Sequence, residues 1–257
     1  MQKVIKKVLL LNKKEGETPL KALENFRAKN IKYKDSKITY AGRLDPMASG
    51  ILIFLVDEEI KNKQKYLALD KEYEFEILFG FATDTYDILG KVQHSYTLPN
   101  VGMSELKEKI KNNLRNFVGK FIQKYPVYSS KTVKGKQLFE YARAGEEVER
   151  PEREVLVKEL KFLKLKKINN KKLLANIEKR IKKVQGDFRQ EEILNIWRKN
   201  LQVERGLPSL NSLKIGSFKI KCSSGTYVRS IANNLGEKMG IPALAFYIKR
   251  TKIGKWS

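Results

Sequence analysis

The most regular pattern of apolar and polar residues in the chain is a strict alternation over residues 72–79. One set of alternate positions is apolar and the other is acidic: Tyr73, Phe75, Ile77 and Phe79 against Glu72, Glu74 and Glu76. Side chains of a β-strand point to opposite faces in turn, so this pattern predicts a strand with one buried face. Apolar runs predict further strands over 8–11, 51–56, 213–222 and 243–249, and another beginning at Val155.

Apolar residues at helical spacing predict a second group of elements. These are a helix from Pro19, a helix over 104–117, a short helix within 138–145, a helical hairpin over 171–201 and a helix over 226–239. Thr18 is a favourable N-cap for the first helix, and Asp187 is the predicted N-cap of the second hairpin helix. Gly119 and Gly240 follow apolar stripes and are the predicted C-caps.

The order of these elements bears on the fold class. Residues 38–50 and 83–90 are predicted to be loops, and the strands and helices do not follow a regular strand-helix-strand repeat. This order favours an α+β fold over a doubly wound one. We find no internal repeat and no segment that reads as a disordered linker, and the length of 257 residues suits one large domain or two small ones.

The charge of the chain points to a class of partner. Lys and Arg number 53 against 29 Asp and Glu, so the formal net charge is +24. Residues 38–100 carry a net charge of −4, whereas residues 166–221 carry +10. Basic side chains release counterions when they neutralise phosphates, so the surplus favours nucleic acid as the partner. A lysine-rich solvated surface without such a partner is the alternative that charge alone leaves open.

The scarcity of histidine and cysteine excludes several kinds of site. With only His94 and Cys222, the chain forms no internal disulfide and no Cys/His zinc site, and any metal would need carboxylate ligands. The longest apolar run, 51–56, is far shorter than the roughly 20 residues of a membrane span, and the first residues lack a signal-peptide core. We therefore expect a cytoplasmic protein with no metal and no cofactor, whose chemistry rests on carboxylates, tyrosines and cations.

Asp45 is the first candidate for that chemistry. It precedes Pro46, and a residue before proline is held in an extended conformation. Gly42 and Gly50 allow tight backbone paths on either side, so the loop presents a carboxylate at the entrance to a buried strand. Arg43 is close enough in sequence to pair with it. The alternative is a turn-forming Asp-Pro pair with no chemical role.

Tyr227, Arg229 and Tyr73 are further candidates. Arg229 is predicted in the first turn of a helix, where the helix dipole disfavours a cation, so a buried carboxylate partner would compensate. A solvated surface arginine is the alternative. Tyr73 heads the apolar face of its strand and either packs in the core or stacks on a flipped base.

Residues 125–145 interleave aromatic rings with lysines and hydroxyls. This mixture is used to hold phosphates and to stack on bases, although a solvated loop has the same composition. Together with the other candidates, the segment suggests RNA binding beside a carboxylate and a cation. These residues do not by themselves name a reaction.

Four blocks of the sequence, in order, resemble the TruB family of bacterial tRNA pseudouridine synthases. They are Lys13 with Gly16, then Gly42-Arg43-Leu44-Asp45-Pro46-Met47-Ala48-Ser49-Gly50, then Lys71-Glu72-Tyr73 with Thr83-Asp84-Thr85 and Asp87 to Gly90, and last Gly225-Thr226-Tyr227-Val228-Arg229 with Gly236 and Arg250-Thr251. The resemblance implies an α+β, pseudouridine synthase-like catalytic domain with a central mixed, largely antiparallel sheet flanked by helices. It covers nearly the whole chain, so we interpret 1–257 as one domain.

The resemblance also implies a role for each matching residue. Asp45 matches the nucleophile, flanked by Tyr227 and Arg229, and Tyr73 matches the tyrosine that stacks on the target base. Ile248 is expected to line the base pocket. Tyr40 stands where the family usually has a histidine, and its ring is expected to fill the vacated base-pair position. The expected RNA-binding residues are Lys13, Arg43, Tyr128, Lys131, Lys134, Arg143 and Arg250.

Two segments are expected to hold the RNA. Residues 123–151, which we call the thumb, resemble the family's mobile clamp on the tRNA arm, although Thr132 replaces its usual lysine and Lys131 stands one place earlier. Residues 166–211 are expected to form a basic helical insertion. The chain ends six residues after Thr251, so we expect no C-terminal RNA-binding domain of the PUA type, and the insertion would partly substitute for it.

The implied activity is isomerisation of the T-loop uridine of tRNA (position 55 in tRNA numbering) to pseudouridine. The base is flipped out, the glycosidic bond is cleaved with the help of the aspartate, and the bond re-forms through C5. The implied partner is the T-arm of tRNA, bound by a monomer with no membrane association. The alternative is a tRNA-binding folding chaperone without essential catalysis.

Overall fold

The computed structural model describes residues 6–95, 101–201 and 213–257. Its strands are β1 Val8–Lys13, β2 Ile38–Ala41, β3 Ala48–Val56, β4 Lys71–Phe79, β5 Phe81–Thr83, β6 Val92–Ser95, β7 Gly119–Lys124, β8 Thr132–Val133, β9 Lys136–Gln137, β10 Glu152–Ile168, β11 Leu213–Cys222 and β12 Ala243–Ile253. Its α-helices are α1 Pro19–Lys29, α2 Lys63–Leu67, α3 Met103–Leu114, α4 Leu138–Ala144, α5 Asn170–Ile181, α6 Gln190–Leu201 and α7 Val228–Met239. Short 3₁₀ turns cover Ile31–Tyr33, Asp57–Asn62 and Arg115–Phe117.

One long sheet organises these elements. Its strand order is β1-β3-β12-β4-β11-β10-β7, and β2 pairs with β3 beside this path. The β3–β12 pairing is parallel, and the other pairings of this sheet are antiparallel. The predicted α+β class with a mixed, largely antiparallel sheet is therefore confirmed.

The alternation over 72–79 works as predicted. Phe75, Ile77 and Phe79 of β4 pack in one buried cluster, with Tyr73 against its margin, whereas Leu78 points into a cluster on the opposite face. On the polar side, Glu74 Oε1 forms a salt bridge with Lys219 Nζ of β11 at 2.9 Å. Cross-strand pairs of this kind hold the register of neighbouring strands.

Helices cover both faces of the sheet. The apolar sides of α3 and α7 pack on the first cluster, and those of α5 and α6 pack on the second. The predicted helical hairpin is thus confirmed, and its helices pack directly on the sheet. β10 extends to Ile168, so the start of the predicted insertion belongs to the sheet, and residues 202–211 of it lie outside the described residues.

Four local predictions differ from the structure. The loop predicted over 38–50 is shortened to 42–47, because β2 and β3 pair with each other on either side of it. Gly119 begins β7 and caps no helix. Asp187 does not cap α6; its carboxylate accepts the Arg189 N–H at 3.2 Å in the turn before the helix. The last helix begins at Val228, with Tyr227 as its N-cap residue.

Trp197 of α6 anchors the helical hairpin in the hydrophobic core. Its side chain is fully buried, stacks at a tilt on Phe81 with centroids 5.1 Å apart, and donates its indole N–H to Ile88 O at 3.0 Å. Because removal of a buried ring leaves a cavity, we expect Trp197→Ala to lower the free energy of unfolding by about 3–5 kcal/mol in urea denaturation.

The matched control is Ile31→Ala, since Ile31 is 77% exposed. It should change the free energy of unfolding by less than about 0.5 kcal/mol. Equal effects of the two substitutions would contradict the assignment of the hairpin to the core. The same burial means that deletion of α5 and α6 would be expected to unfold the protein.

In the part of the chain that the structure describes, no helix has the length and apolar character needed to cross a bilayer.

Candidate active site

Asp45 lies on the short loop between β2 and β3, and Arg250 of β12 holds this loop from beneath. The buried guanidinium donates to three carbonyls: Gly42 O at 3.2 Å, Arg43 O at 3.2 Å and Ile51 O at 2.7 Å. Gly50 makes this approach feasible, because its φ is +108° and a Cβ there would collide with the Arg250 backbone.

A second set of contacts holds the other end of the loop. Lys13 is 1% exposed, and its ammonium donates to Glu17 O at 2.6 Å, Lys14 O at 3.0 Å and Pro46 O at 3.5 Å. Gly16 N also donates to Pro46 O, at 2.8 Å. Burial lowers the pKa of Lys13 to about 8. The loop that carries Asp45 is therefore fixed at both ends by buried cations.

Asp45 and Arg229 form the central pair of the site. Arg229 Nε donates to Asp45 Oδ2 at 2.7 Å; the arginine side chain is 3% exposed and the carboxylate is 37% exposed. The predicted pairing of Arg229 with a carboxylate across the fold is present, and it joins residues 184 positions apart. Arg43, the partner that sequence proximity suggested, instead donates to Ser130 Oγ of the thumb.

The remaining nitrogens of Arg229 are also occupied. Nη1 donates to Thr85 O, and Nη2 donates to Tyr128 O at 3.2 Å. Although burial opposes it, the negative charges of Asp45 and Asp87 raise the pKa of Arg229 above its ordinary value. The guanidinium is thus a fixed cation that holds Asp45 in one orientation.

Asp87 is a buried member of the site to which sequence reasoning assigned no role. Its Oδ2 lies 3.8 Å from Arg229 Nε, and its Oδ1 accepts from Thr85 Oγ1 at 2.8 Å and Leu89 N at 2.9 Å. Burial raises the pKa of Asp87 to about 6, against the opposing charge of Arg229. In the sequence it was marked by its place in a polar loop and in one of the blocks that resemble the family, but neither signal gave it a role.

Tyr227 flanks the pair from the start of α7. Gln123 of β7 accepts from Tyr227 N at 2.8 Å and donates to Tyr227 O at 3.2 Å, so the backbone is held by one buried amide. Burial and then the charge of Asp45 raise the pKa of Tyr227 to about 12. Its hydroxyl is therefore a neutral phenol near pH 7.

An open cleft of about 960 Å³ surrounds these groups. The predicted base-binding residues Tyr73, Ile248 and Tyr40 all line it, as does Asp45 itself. The Tyr40 ring lies near two cations, with the Lys63 ammonium 5.8 Å and the Arg43 guanidinium carbon 6.0 Å from its centroid. The cleft thus combines aromatic walls, a carboxylate and a basic rim.

The thumb forms one side of the cleft. It contains the small β8–β9 hairpin followed by α4, and it exposes Lys131, Lys134 and Arg143 to solvent. The Lys131 ammonium lies 5.6 Å from the centroid of Tyr125, a ring that packs edge-on against Tyr227. These residues are therefore placed where they can meet a polyanion that enters the cleft.

Two of the expected RNA contacts need correction. Lys13 and Arg250 are each 1% exposed, and their side-chain N–H groups donate to backbone carbonyls of the Asp45 loop and of neighbouring residues. A bond to an RNA phosphate would cost those buried hydrogen bonds. We assign both residues to the support of the loop instead.

Among the described residues, no group of three or more His, Cys, Asp or Glu side chains is arranged to hold a metal ion.

The model of the TruB family pseudouridylate synthase N-terminal domain matches residues 29–186. The chain belongs to the TruB family. The match includes Asp45, Tyr73 and Asp87, and the site continues beyond it to Tyr227 and Arg229. The predicted family is thereby confirmed.

Individual relatives agree with this. The tRNA pseudouridine synthase B of Lactobacillus acidophilus is 33% identical over 95% of this chain, and that of Aquifex aeolicus is 30% identical over 97%. The chain spans 67% and 69% of their respective lengths. A solved structure, "Crystal Structure of a Cbf5-Nop10-Gar1 Complex", shares the fold with a TM-score of 0.55 and 18% identity, over 97% of this chain and 49% of that one.

The buried Asp87 gives a testable pH dependence. Its pKa is about 6 in the folded protein and ordinarily 3.8, so between about pH 4 and pH 6 the folded state binds more protons than the unfolded state. The contribution of Asp87 to stability therefore falls as pH rises through this window, by about 3 kcal/mol. Urea unfolding of wild type and Asp87→Asn across pH 4–7 should show their difference changing by this amount.

Asp35→Asn is the control, because Asp35 is exposed. Its difference from wild type should stay nearly constant over the same range. A constant difference for Asp87→Asn as well would contradict the shifted pKa of Asp87.

Proposed function

We propose that this protein converts the T-loop uridine of tRNA to pseudouridine. The observation that carries the proposal is the Asp45–Arg229 pair, in which a half-exposed carboxylate on a loop fixed at both ends is held by a buried arginine. The names of its relatives supply the substrate class, and the aromatic walls of the cleft supply a place for an extruded base.

Asp45 is the proposed catalytic residue. As a carboxylate it attacks the ribose carbon of the glycosidic bond or assists elimination there, which releases N1 of the base. The bond to Arg229 uses Oδ2 and leaves the carboxylate open to the cleft. After the base turns, C5 bonds to the same ribose carbon. On the first route this breaks the bond between that carbon and the carboxylate; on the second, the proton removed from the ribose is returned. C5 then loses its proton and N1 gains one, so Asp45 is regenerated and product and substrate have the same composition.

Tyr73 and Tyr227 are proposed to act on the base. Tyr73 lines the cleft with its ring packed against the core, so stacking on it would repay part of the cost of extrusion. Tyr227 is the proposed acceptor of the C5 proton, or a packing and hydrogen-bonding group beside Asp45. Its pKa of about 12 favours the second role, because a neutral phenol accepts a proton only by passing on its own.

The basic surplus is proposed to hold the T-arm. Arg43, Tyr128 and Arg143 line the cleft, and Lys131 and Lys134 are exposed on the thumb. The charges of the four cations are proposed to meet phosphates of the T-arm. We propose further that residues 1–257 act as one catalytic domain, as a monomer in the cytoplasm.

Mapping of pseudouridine by selective carbodiimide labelling and primer extension, after incubation with unmodified tRNA, tests the proposal. Product at the T-loop uridine supports it. Tight tRNA binding with no product, from a protein whose folding is verified, would overturn it in favour of the folding chaperone. A tRNA carrying cytidine at that position is the matched control and should give none.

A further inference from the structure

The turn between α5 and α6, residues 182–189, lies against both halves of the Asp45–Arg229 pair. On one side Gln185 N donates to Gly16 O at 3.0 Å, and Gly16 N in turn donates to Pro46 O beside Asp45. Gly16 has a φ of +91°, and a Cβ there would lie 2.5 Å from Lys183 O, so the two turns touch through their backbones. The turn therefore supports the loop that carries Asp45.

On the other side the same turn reaches the segments that hold Arg229. Both terminal nitrogens of Arg189 approach Asp84 Oδ2, at 3.2 and 3.3 Å, and the guanidinium carbon lies 4.8 Å from the centroid of the Tyr128 ring. Asp84 adjoins Thr85, and the carbonyls of Thr85 and Tyr128 are two acceptors of Arg229. Arg189 thus connects the two backbone segments that orient the catalytic arginine.

The local structure is consistent with a positioned side chain. Arg189 has a φ of 62°, in the left-handed region that non-glycine residues seldom adopt, and strain of this kind persists where surrounding contacts compensate for it. Asp84 is anchored in turn, since its Oδ1 accepts from Lys91 N at 2.8 Å. Burial and then the charge of Asp84 raise the pKa of Tyr128, as expected for a phenol held close to this carboxylate.

We propose that Arg189 is a positioning residue that clamps Asp84 and Tyr128 and thereby fixes Arg229 against Asp45. The α5–α6 turn then affects catalysis by positioning the Asp45–Arg229 pair, without contacting an RNA phosphate itself. The inference rests on the proposed function for its catalytic readout, and its structural readout is independent of activity.

The catalytic test compares Arg189→Gln with Arg198→Gln. Arg198 is the matched control, because it pairs with Glu178 at 2.7 Å between the same two helices but does not line the cleft. Single-turnover pseudouridine formation should fall about 10- to 100-fold in Arg189→Gln, with the Kd for tRNA changed less than about threefold. Arg198→Gln should leave both values near wild type.

A double substitution separates the clamp from a general disturbance. Asp84→Asn should lower the rate similarly, and Arg189→Gln with Asp84→Asn together should be little worse than either alone, because both break one contact. Additive losses would overturn the proposal. A raised Kd with an unchanged single-turnover rate would overturn it too, and would assign Arg189 to RNA binding.

The structural readout is hydrogen–deuterium exchange of the free protein. Peptides covering 125–132 and 83–90 should exchange faster in Arg189→Gln and not in Arg198→Gln. Unchanged exchange in both peptides would overturn the clamp even if wild type made no pseudouridine. If wild type made none and exchange still rose as expected, the proposed function would fail while the clamp stood.

Discussion

Asp45→Asn is expected to abolish pseudouridine formation while tRNA binding persists. The amide keeps the size of the side chain and its place on the loop held by Arg250 and Lys13, but it lacks the negative charge needed to attack or assist at the ribose. We expect the single-turnover rate constant to fall by at least about 10⁴-fold. The Kd for tRNA should stay within about threefold of wild type, since Asp45 contributes no positive charge to phosphate binding.

Catalysis and tRNA binding are both measured on the same preparation of the variant. Product is quantified with enzyme in excess over unmodified tRNA, and binding is measured by filter retention. Asp35→Asn, an exposed substitution outside the cleft, is the charge-matched control and should retain wild-type turnover. Turnover near wild type in Asp45→Asn would remove Asp45 from the catalytic role.

Arg229→Lys is expected to impair catalysis almost as severely. The guanidinium serves Asp45, Thr85 O and Tyr128 O from three different nitrogens, and a lysine ammonium cannot reproduce this planar arrangement. Loss of oriented donors at a buried site predicts a fall of about 10²- to 10³-fold in the single-turnover rate constant. Near-wild-type turnover in Arg229→Lys would show that charge alone suffices at this position.

Removal of the charge at Arg229 is expected to have a second, structural effect. Arg229→Met leaves the carboxylate of Asp87 buried without its cation, and breaking a buried pair in this way costs about 3–5 kcal/mol of unfolding free energy. Asp87→Asn in the same chain should recover part of that loss in urea denaturation. No recovery would mean that Asp87 and Arg229 do not interact in the folded protein.

Much of the fold followed from residue patterns. The alternation in β4, the helical stripes of α3, α5, α6 and α7, and the Thr18 cap of α1 depend on periods of 2 and 3.6 and on local capping, which a sequence displays directly. The errors lie where pairing across the chain overrides local preference. β2 forms only because β3 lies beside it, so residues 38–41 have no distinctive pattern of their own.

The candidate site divides in the same way. Asp45, Tyr73, Tyr227 and Arg229 became candidates from local residue patterns, and contiguous motifs that resemble a known family gave each an expected role. Lys13 and Arg250 were expected to bind RNA as part of the same resemblance. The structure places both under the Asp45 loop. Arg250 donates to carbonyls of Gly42, Arg43 and Ile51, and Lys13 reaches Pro46 O, and no local pattern indicates these contacts between distant segments.

The sequence by itself determined the residue types available for chemistry, the periods of the core-facing strands and helices, the basic surplus and the family. These properties depend on short stretches of sequence or on total composition, so they can be determined without knowing which segments are in contact. Only the tertiary structure decided that Arg229 bonds Asp45 and that Asp87 lies buried beside them. It also decided that the α5–α6 turn contacts Asp84 and Tyr128, beside the backbone carbonyls that hold Arg229. Contacts between residues tens to hundreds of positions apart arise from packing the whole sheet, so they become readable only when the chain is folded.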